Sequence, residues 1–492
     1  EDASRWYPMG SLLAQVLGLC NVDGEGQSGL ELKYDDVLAG KSGRIVTEVD
    51  ARARTLPDGV KLYVPAEQGN TLRLTIDRDV QAAVERAVRE CAQVNEALSV
   101  QAIAMDVNTG AVLAMAMYPT YDPQNPPRED LEKLNELMRL SVLSDVYEPG
   151  STFKMLTAAA AIDCGATSPQ EGFYCSGRIT VDGSTVRCWG APHGAETMAR
   201  ALENSCNPVF TQLALRLGSE RFYQYLHAFG LGRRTGIDLY GEAGGILIGQ
   251  SRVKNVDLAR IGFGQSVAVT PIQMITAACA VVNGGRLMQP YIVQRITAPD
   301  GNFTDTAPKF VRHVISEETS RTMCELMAGV VTSGTGKNAA LAGYRVGGKS
   351  GTSQKLDSKN EGARIASFVA VAPIDDPKLA VLVCLDEPHS WTTSGGALSA
   401  PVCAEVLEKA LPYLGIAPQY TEAEQQKLFA AVPDLAGRGL GYAKTVLSES
   451  GFAAAVQGSG GTVLRQYPAD GVSARRGSTV TLYTEEDCIP ED

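Results

Sequence analysis

Alternating and helical patterns of apolar residues mark the start of a long central segment. Residues 72–77, LRLTID, alternate as a strand does, and the next stretch places Val80, Val84 and Val88 on one helical face. The stretch QAIAMDVNTGAVLAMA, residues 101–116, has two apolar runs around an Asn-Thr-Gly turn, which predicts a β-hairpin. This end of the segment therefore contributes a strand, a helix and a hairpin.

The far end of the segment supplies more strands. Three apolar runs, VGGKSGT, ASFVAVAP and LAVLVCLD, predict strands, and PVCAEVLEKALPYL predicts an amphipathic helix after them. Residues 150–340 between the two ends are richer in helix-forming runs such as MLTAAAAID. The pattern predicts an α+β domain over residues 71–417, with an antiparallel sheet built from both ends and a mainly helical insertion.

Two smaller regions flank this domain. Residues 1–70 are strand-like and rich in loops, and they are predicted to form a separate, partial module. A polar linker, QYTEAEQQK, follows Pro418 and leads to a unit at residues 428–485. There a helix carrying Ala443 and Leu447 ends at a glycine, and three short strands follow, which predicts a small βαβββ-like domain.

Charge, cysteine and histidine content, and the lengths of apolar runs limit which partners and sites the chain is expected to have. The 492 residues carry a formal charge of −12, which argues against a general nucleic-acid-binding role. The 11 cysteines include no C-x-x-C pair and the 4 histidines are scattered, so no metal site is predicted, with His193 near Cys188 as a minor alternative. No apolar run approaches the roughly 18 residues that a membrane span requires.

One stretch matches a nucleotide-binding pattern. Residues 342–354, AGYRVGGKSGTSQ, fit the phosphate loop G-x-x-x-x-G-K-[ST] at Gly343, Gly348, Lys349 and Ser350. A phosphate loop must lead into a helix whose N-terminus faces the phosphates. The residues after the lysine have no helical apolar period. The nucleotide interpretation therefore fails on context.

The same lysine fits another catalytic pattern. Serine acyl-transferases that react with penicillin use three separated elements, S-x-x-K, S-x-N and K-[ST]-G. The first element has candidates beginning at Ser151 and Ser251, and the second has candidates beginning at Ser205 and Ser358. The choice of Ser151, Ser205 and Lys349 gives the required order, with the third element last.

Local context supports the first of the two S-x-x-K candidates. The stretch EPGSTFKMLTAAAAID puts Pro-Gly before Ser151 and helix formers after it, so Ser151 lies at a helix N-terminus with Lys154 on the same face. The pair Ser251 and Lys254 lacks that glycine elbow and is predicted to lie on the surface. The alternative S-x-N match at residues 358–360 belongs to a predicted polar loop.

These residue types suit acyl transfer. A serine hydroxyl is a weak nucleophile until a base takes its proton, and Lys154 is the candidate base for Ser151. Burial and the charge of Lys349 would each lower the pKa of Lys154 from its usual value near 10.4. Ser205 would relay the proton to the leaving amine, and Asn207 would hydrogen-bond the substrate amide or hold Lys154 in place.

The third element suits substrate binding. Lys349, Ser350 and Gly351 form it, and the ammonium of Lys349 with the hydroxyl of Thr352 would bind a substrate carboxylate. The backbone amides of Ser151 and Thr352 would form an oxyanion hole for the tetrahedral intermediate.

Six stretches together resemble the class B penicillin-binding proteins, the monofunctional peptidoglycan D,D-transpeptidases. They are LRLTIDRDVQ, DVNTGAVLAMA, EPGSTFK, ENSCNPVF, FGQSVAVTPIQM and VGGKSGTSQ, in the family's order. Residues 1–70 resemble the family's N-terminal pedestal module, and the unit beginning at Val432 resembles a PASTA domain. The resemblance implies the penicillin-binding transpeptidase fold for residues 71–417.

The resemblance also implies substrate, partners and location. Ser151 would attack the penultimate D-Ala of peptidoglycan stem peptides ending in D-Ala-D-Ala, and β-lactams would acylate it. A single-pass anchor is expected upstream of this chain, with the site on the extracytoplasmic face of the membrane. Membrane proteins of cell-wall synthesis, such as a glycosyltransferase, are the expected partners, in division or sporulation. No cofactor, metal or nucleic acid is expected.

A cysteine inside the second element raises a further question. Cys206 stands between Ser205 and Asn207, with Cys188 and Cys175 upstream. One hypothesis is a disulfide between Cys188 and Cys206 that distorts the element and must be reduced for activity, which would fit a sporulation-type enzyme. The other is that these are buried, inert thiols. Pairing cannot be deduced from sequence, so both stay open.

Two rival functions share these motifs. A β-lactamase or D,D-carboxypeptidase would use the same serine and lysine, but the E-x-x-L-N element of class A β-lactamases is missing, since Leu134-Asn135 lacks its glutamate. A wall-binding scaffold or β-lactam sensor would need no turnover, and the three intact elements argue against it.

Overall fold

A five-stranded antiparallel sheet forms the centre of the structure, a computed structural model that describes residues 5–52, 54–56, 61–355, 358, 360 and 362–489. The first three strands come from the far end of the domain and the last two are the predicted hairpin, in the spatial order Gly347–Gln354, Arg364–Ala372, Leu379–Asp386, Ser99–Asp106 and Val112–Tyr118. The prediction of a sheet built from both ends is therefore confirmed.

Two helices, Arg78–Val94 and Gly395–Tyr413, pack against this sheet and against each other. The first begins where the Asp77 carboxylate accepts hydrogen bonds from two backbone amides of the first turn. Alternate residues of the strands, such as Ile103 and Met105, belong to a buried core shared with the insertion helices. The sheet is thus covered by helices from both the ends and the middle of the domain.

The insertion is mainly helical, as predicted, with small strand pairs added. Its longer helices are Lys154–Asp163, Asn207–Ala228, Pro271–Val282 and Glu317–Thr332, and its shorter ones are Met198–Glu203 and Asn255–Ile261. Two short helices, Leu131–Leu137 and Ser141–Ser144, precede it. Its antiparallel strand pairs are Gly172–Cys175 with Gly194–Thr197, Arg178–Val181 with Ser184–Arg187, Ile246–Leu247 with Val267–Ala268, and Arg286–Gln289 with Lys309–His313.

The strand predicted from LRLTID does not join the central sheet. Thr71–Leu74 pairs with Val293–Thr297, which pairs in turn with Phe303–Asp305 in a separate three-stranded sheet. The physical reason lies in burial, because Thr71 and Arg73 are exposed whereas the strand Leu379–Asp386 is buried along almost its whole length. A strand whose alternate residues are exposed suits an antiparallel sheet with one face toward solvent.

The first residues of the chain pack on the central domain. They contain the helices Ala14–Leu17, Gly29–Lys33 and Asp35–Leu38 and an antiparallel pair, Arg44–Thr47 with Lys61–Val64. The Tyr121 hydroxyl donates to the Ala14 carbonyl over 3.1 Å. Residues 1–341 and 345–416 accordingly form one compact unit, and a module boundary at residue 70 stays a prediction.

Residues 417–492, with 342–344, form a second compact unit. The predicted polar linker is in fact partly helical, since Glu422–Leu428 is a helix that Thr421 and Glu424 begin with a reciprocal capping box. The predicted helix is Leu440–Glu449, with Ala443 and Leu447 buried. Four strands follow it rather than three, namely Ala453–Gln457, Arg465–Tyr467, Ser473–Arg475 and Thr479–Tyr483, and the third of them pairs with Phe429–Ala431.

Candidate active site

Ser151 lies on a tight turn against the edge strand of the central sheet. The turn is the 3-10 helix Gly150–Phe153, which leads directly into the helix Lys154–Asp163. Gly150 has a φ of 54°, in the left-handed region, and a Cβ there would lie 3.0 Å from the Thr352 carbonyl oxygen. The glycine elbow therefore lets the serine turn approach the strand that carries the third motif.

Lys154 connects the first motif to the second. Its side chain is fully buried, and Nζ lies 3.1 Å from Ser151 Oγ, 3.1 Å from Ser205 Oγ and 2.7 Å from Asn207 Oδ1. Nζ also donates to the Ser205 carbonyl over 2.6 Å. Because acceptors surround the amine, it is held within hydrogen-bond reach of the Ser151 hydroxyl.

Burial makes this amine a weaker base than an ordinary lysine. Desolvation lowers the pKa of Lys154 to about 7, against an opposing effect of the nearby Cys206, Cys188 and Glu196. A lysine of ordinary pKa is neutral at pH 7 in about one molecule in 2,500, whereas Lys154 is neutral in about half. A neutral amine can accept the proton of a serine hydroxyl.

Ser205 bridges the two lysines. Its Oγ lies 3.1 Å from Lys154 Nζ and 3.1 Å from Lys349 Nζ. Its backbone φ is 57°, in a region that residues with side chains seldom adopt. Strained backbone of this kind occurs at functional sites, where the surrounding structure holds it.

The third motif lies alongside on the strand Gly347–Gln354. Lys349 is fully buried, and its pKa is lowered well below the usual value by burial first and by the charge of Lys154 second. The Ser350 hydroxyl pairs with the Thr335 hydroxyl at 2.8 Å, so that side chain is engaged within the protein. Thr352 is exposed at the site, and its Oγ1 accepts from the Gly395 amide over 3.2 Å.

Gly351 lets the strand and the serine turn meet closely. A Cβ at this position would lie 2.5 Å from Ser367 Oγ and 2.8 Å from the Pro149 carbonyl oxygen. We expect Gly351→Ala to destabilise the fold by about 1–3 kcal/mol through overpacking and to slow acylation by penicillin, because the strand must move away from Ser151. Thermal unfolding and acylation kinetics measure the two effects.

Gly172→Ala is the matched control for that substitution, since a Cβ on this strand glycine meets no atom within 4 Å. An alanine at 351 that leaves both melting and acylation at the level of the control would contradict the close-contact account.

A cleft opens beside the second motif. It has a volume of about 430 Å³ and is lined by Asn207, Arg187, Arg260 and Gln354, among others. The Asn207 amide also donates to the Arg187 carbonyl over 3.0 Å.

The structure brings the residues chosen from the sequence into one site. Contacts link Ser151, Lys154, Ser205, Asn207 and Lys349 in one network. The rival pair, Ser251 and Lys254, is exposed as predicted. Of the other rival, Ser358 and Asn360 are described and Lys359 lies outside the described residues. Gly348, Lys349 and Ser350 of the phosphate-loop match lie in the strand Gly347–Gln354, which pairs with the strand Arg364–Ala372 and does not lead directly into a helix.

Sequence reasoning missed a second cluster next to this network. Ligand atoms of Cys175, Cys188, His193 and Cys206 all lie within 4.8 Å of one another. The sequence predicted no metal site and considered only His193 near Cys188, because residues on separate strands gave no metal-binding spacing. The cysteines are free thiols, so the disulfide between Cys188 and Cys206 stays a hypothesis.

Three family models match the chain. The penicillin binding protein transpeptidase domain matches residues 100–408, the penicillin-binding protein dimerisation domain matches residues 1–74, and the PASTA domain matches residues 430–486. The first match covers more than half of the chain and includes every residue of the network around Ser151. The chain therefore belongs to the class B penicillin-binding proteins.

Individual relatives agree with that family. The chain is 39% identical to stage V sporulation protein D of Bacillus subtilis, over 99% of this chain and 76% of that protein. It is 30% identical to peptidoglycan D,D-transpeptidase FtsI of Escherichia coli, over 85% of this chain and 68% of that protein. A crystal structure of penicillin binding protein 3 from Mycobacterium tuberculosis complexed with ampicillin matches with a TM-score of 0.75 at 30% identity, over 85% of this chain and 91% of that one.

Proposed function

We propose that the chain is a peptidoglycan D,D-transpeptidase in which Ser151 carries the acyl-enzyme. The observation that supports this most strongly is the position of the buried Lys154 amine, 3.1 Å from both the Ser151 and the Ser205 hydroxyl oxygens. A nucleophile, a base and a second hydroxyl are thus in hydrogen-bond reach of one another, as covalent acyl transfer requires. The donor substrate is a stem peptide ending in D-Ala-D-Ala, and β-lactams react with the same serine.

The first half-reaction forms an ester. Neutral Lys154 accepts the Ser151 proton while Oγ bonds to the carbonyl carbon of the penultimate D-Ala. The tetrahedral intermediate then breaks its C–N bond, and the last D-Ala leaves as an amine. Ser205, between the two lysines, passes a proton from Lys154 to that leaving nitrogen. Lys154 is neutral again when the acyl-enzyme has formed.

The second half-reaction restores the serine. An amine from a neighbouring strand attacks the ester carbonyl and loses its proton through the same relay, and Ser151 Oγ leaves with a proton. A new peptide bond joins the two strands, so atoms and protons balance over the cycle. Asn207 holds Lys154 in place throughout, through the 2.7 Å contact to its Oδ1.

Backbone amides and side chains of the first and third motifs bind the charged groups of the substrate. In this proposal the backbone amides of Ser151 and Thr352 stabilise the developing oxyanion, and losing one such donor typically costs about a hundred- to a thousandfold in rate. The Lys349 side chain and the Thr352 hydroxyl bind the terminal carboxylate of the donor peptide. Gly351 lets the strand lie close to the serine turn. Ser350 fixes the strand through its hydrogen bond with Thr335.

The lifetime of the acyl-enzyme separates this function from its hydrolytic rival. The chain is treated with labelled penicillin, excess drug is removed, and the adduct is followed by intact mass with and without an added D-amino acid. A transpeptidase keeps the penicilloyl adduct and exchanges the terminal D-Ala of a model peptide for the added amino acid. Rapid loss of the adduct to water, with hydrolysis of the peptide in place of exchange, would favour a β-lactamase or carboxypeptidase.

The C-terminal unit is proposed to act apart from the chemistry. Removing residues 417–492 is expected to leave the acylation rate unchanged, because every contact of the Ser151 network lies within the first compact unit. Acylation kinetics of the full and shortened chains measure this. A shortened chain that stays folded by circular dichroism but is no longer acylated would show that the C-terminal unit is needed for the reaction, which would contradict this proposal.

Location and partners follow from the substrate. Among the described residues, no helix has the length and apolar character to cross a membrane. We propose an extracytoplasmic site held by a single-pass anchor upstream, next to a glycosyltransferase that supplies glycan strands, in division or spore wall synthesis. Crosslinking in cells to glycan-polymerising membrane proteins tests this placement.

A further inference from the structure

Four potential metal ligands converge directly behind the second motif. Cys175 ends the strand Gly172–Cys175, Cys188 follows the strand Ser184–Arg187, and His193 precedes the strand Gly194–Thr197. Cys206 caps the helix Asn207–Ala228. The fold of the insertion therefore brings three loop ends to the N-terminus of that helix, and their ligand atoms lie within 4.8 Å of one another.

The spacing suits a tetrahedral metal ion. Zinc binds sulfur at about 2.3 Å and nitrogen at about 2.0 Å, which places neighbouring ligand atoms of a tetrahedron about 3.5–3.8 Å apart. Cys188 Sγ and His193 Nδ1 are already 3.8 Å apart. The remaining distances, at most 4.8 Å, need inward movements of about 1 Å or less to close the shell.

The cluster also holds negative charge. Glu196 Oε1 lies 3.7 Å from His193 Nδ1, its side chain is 1% exposed, and the described part of the structure gives this oxygen no hydrogen-bond partner. Buried anions are costly unless a cation or donors compensate them. A divalent cation bound between the sulfurs would do so.

We propose that Cys175, Cys188, His193 and Cys206 bind one Zn²⁺ ion in a closed Cys₃His site. Thiolate and imidazole donors in a tetrahedron favour zinc over magnesium or calcium, which prefer oxygen. On binding, the ion exchanges its water ligands for three sulfurs and one nitrogen, and the protons of the cysteine thiols leave to solvent.

The site would support catalysis through position. Cys206 lies between Ser205 and Asn207, the two residues of the second motif that contact Lys154. Ser205 has the strained φ of 57°, and a metal bond at the next residue would help to hold it. The ion would also tie the strand pairs of the insertion to this motif.

Cobalt provides the direct test, because Co²⁺ reports its ligands by absorption. The full chain is reduced, freed of metal with a chelator and titrated with Co²⁺ and then Zn²⁺. We expect one Co²⁺ per chain, with a sulfur-to-cobalt charge-transfer band and the visible bands of a tetrahedral ion, both removed by stoichiometric Zn²⁺. Zinc should also raise the melting temperature of the chain, since it binds the folded state.

Variants outside the catalytic motifs locate the site. Cys175→Ser and His193→Asn are expected to lose the tetrahedral spectrum and the thermal shift with zinc. Cys164→Ser is the matched control, because Cys164 is a partly buried thiol outside the cluster, and it should behave as wild type. Circular dichroism checks that each variant is folded.

Two results would overturn the proposal. One is a reduced, folded wild-type chain that shows no cobalt–thiolate band. The other is a band that persists unchanged in both Cys175→Ser and His193→Asn. A chain that forms a Cys188–Cys206 disulfide in air and takes up no cobalt after reduction falls under the first result, and it would assign the pair to redox chemistry instead.

Discussion

Ser151→Ala is expected to abolish covalent labelling by penicillin. The serine Oγ is the nucleophile that Lys154 Nζ contacts at 3.1 Å, and alanine leaves no oxygen to form the ester. Intact mass after incubation with a β-lactam should show a stoichiometric adduct on the wild-type chain and none on the variant. The fold should survive, since Ser151 is only partly buried and the change removes a single atom.

The chain offers its own control for that experiment. Ser251 begins the other S-x-x-K match but is exposed. Ser251→Ala should be acylated like wild type. If the adduct remains on Ser151→Ala and disappears with Ser251→Ala, the nucleophile is Ser251 of the rival motif.

Lys154→Met is expected to lower the acylation rate constant by about 10²–10⁴-fold, the usual contribution of a general base. Methionine fills a similar buried volume but has no amine to take the serine proton. The loss should appear in the rate of adduct formation, measured by stopped-flow or quenched samples, while the final adduct still forms on Ser151. Lys254→Met, in the exposed rival motif, is the matched control and should acylate normally.

An acylation rate that Lys154→Met leaves unchanged would mean that another group accepts the proton. Lys349 is the second buried amine, 3.1 Å from Ser205 Oγ, so Lys349→Met would then be the next variant to measure.

Much of the site was predictable because its elements are local. The Pro-Gly elbow, the serine and the lysine three residues later fix one helix start, and their geometry follows from the spacing along a helix. The order of the three elements then selected Ser205 and Lys349. What brings these distant residues to one edge of the sheet is the pairing of strands from both chain ends, which the apolar runs also indicated.

Other features depend on long-range contacts that local patterns do not encode. The strand Thr71–Leu74 has an alternating pattern that suits either the central sheet or the separate three-stranded sheet. Tertiary packing decides that it pairs with Val293–Thr297. The polar segment at Glu422–Leu428 becomes helical through its capping box. Cys175 and His193 meet Cys206 only because short strand pairs fold back on the insertion, so no spacing in the sequence predicted the cluster.

The pH dependence of acylation tests most directly whether burial turns Lys154 into the base. Its pKa is lowered to about 7, so the neutral, reactive form grows as pH rises through that value. The rate constant for penicillin acylation of the wild-type chain should therefore rise with pH and reach half of its plateau near pH 7. The rate constant of Lys154→Met should not show this rise. A wild-type rate that is flat through neutrality, or that rises only near the ordinary lysine value of about pH 10, would contradict the account.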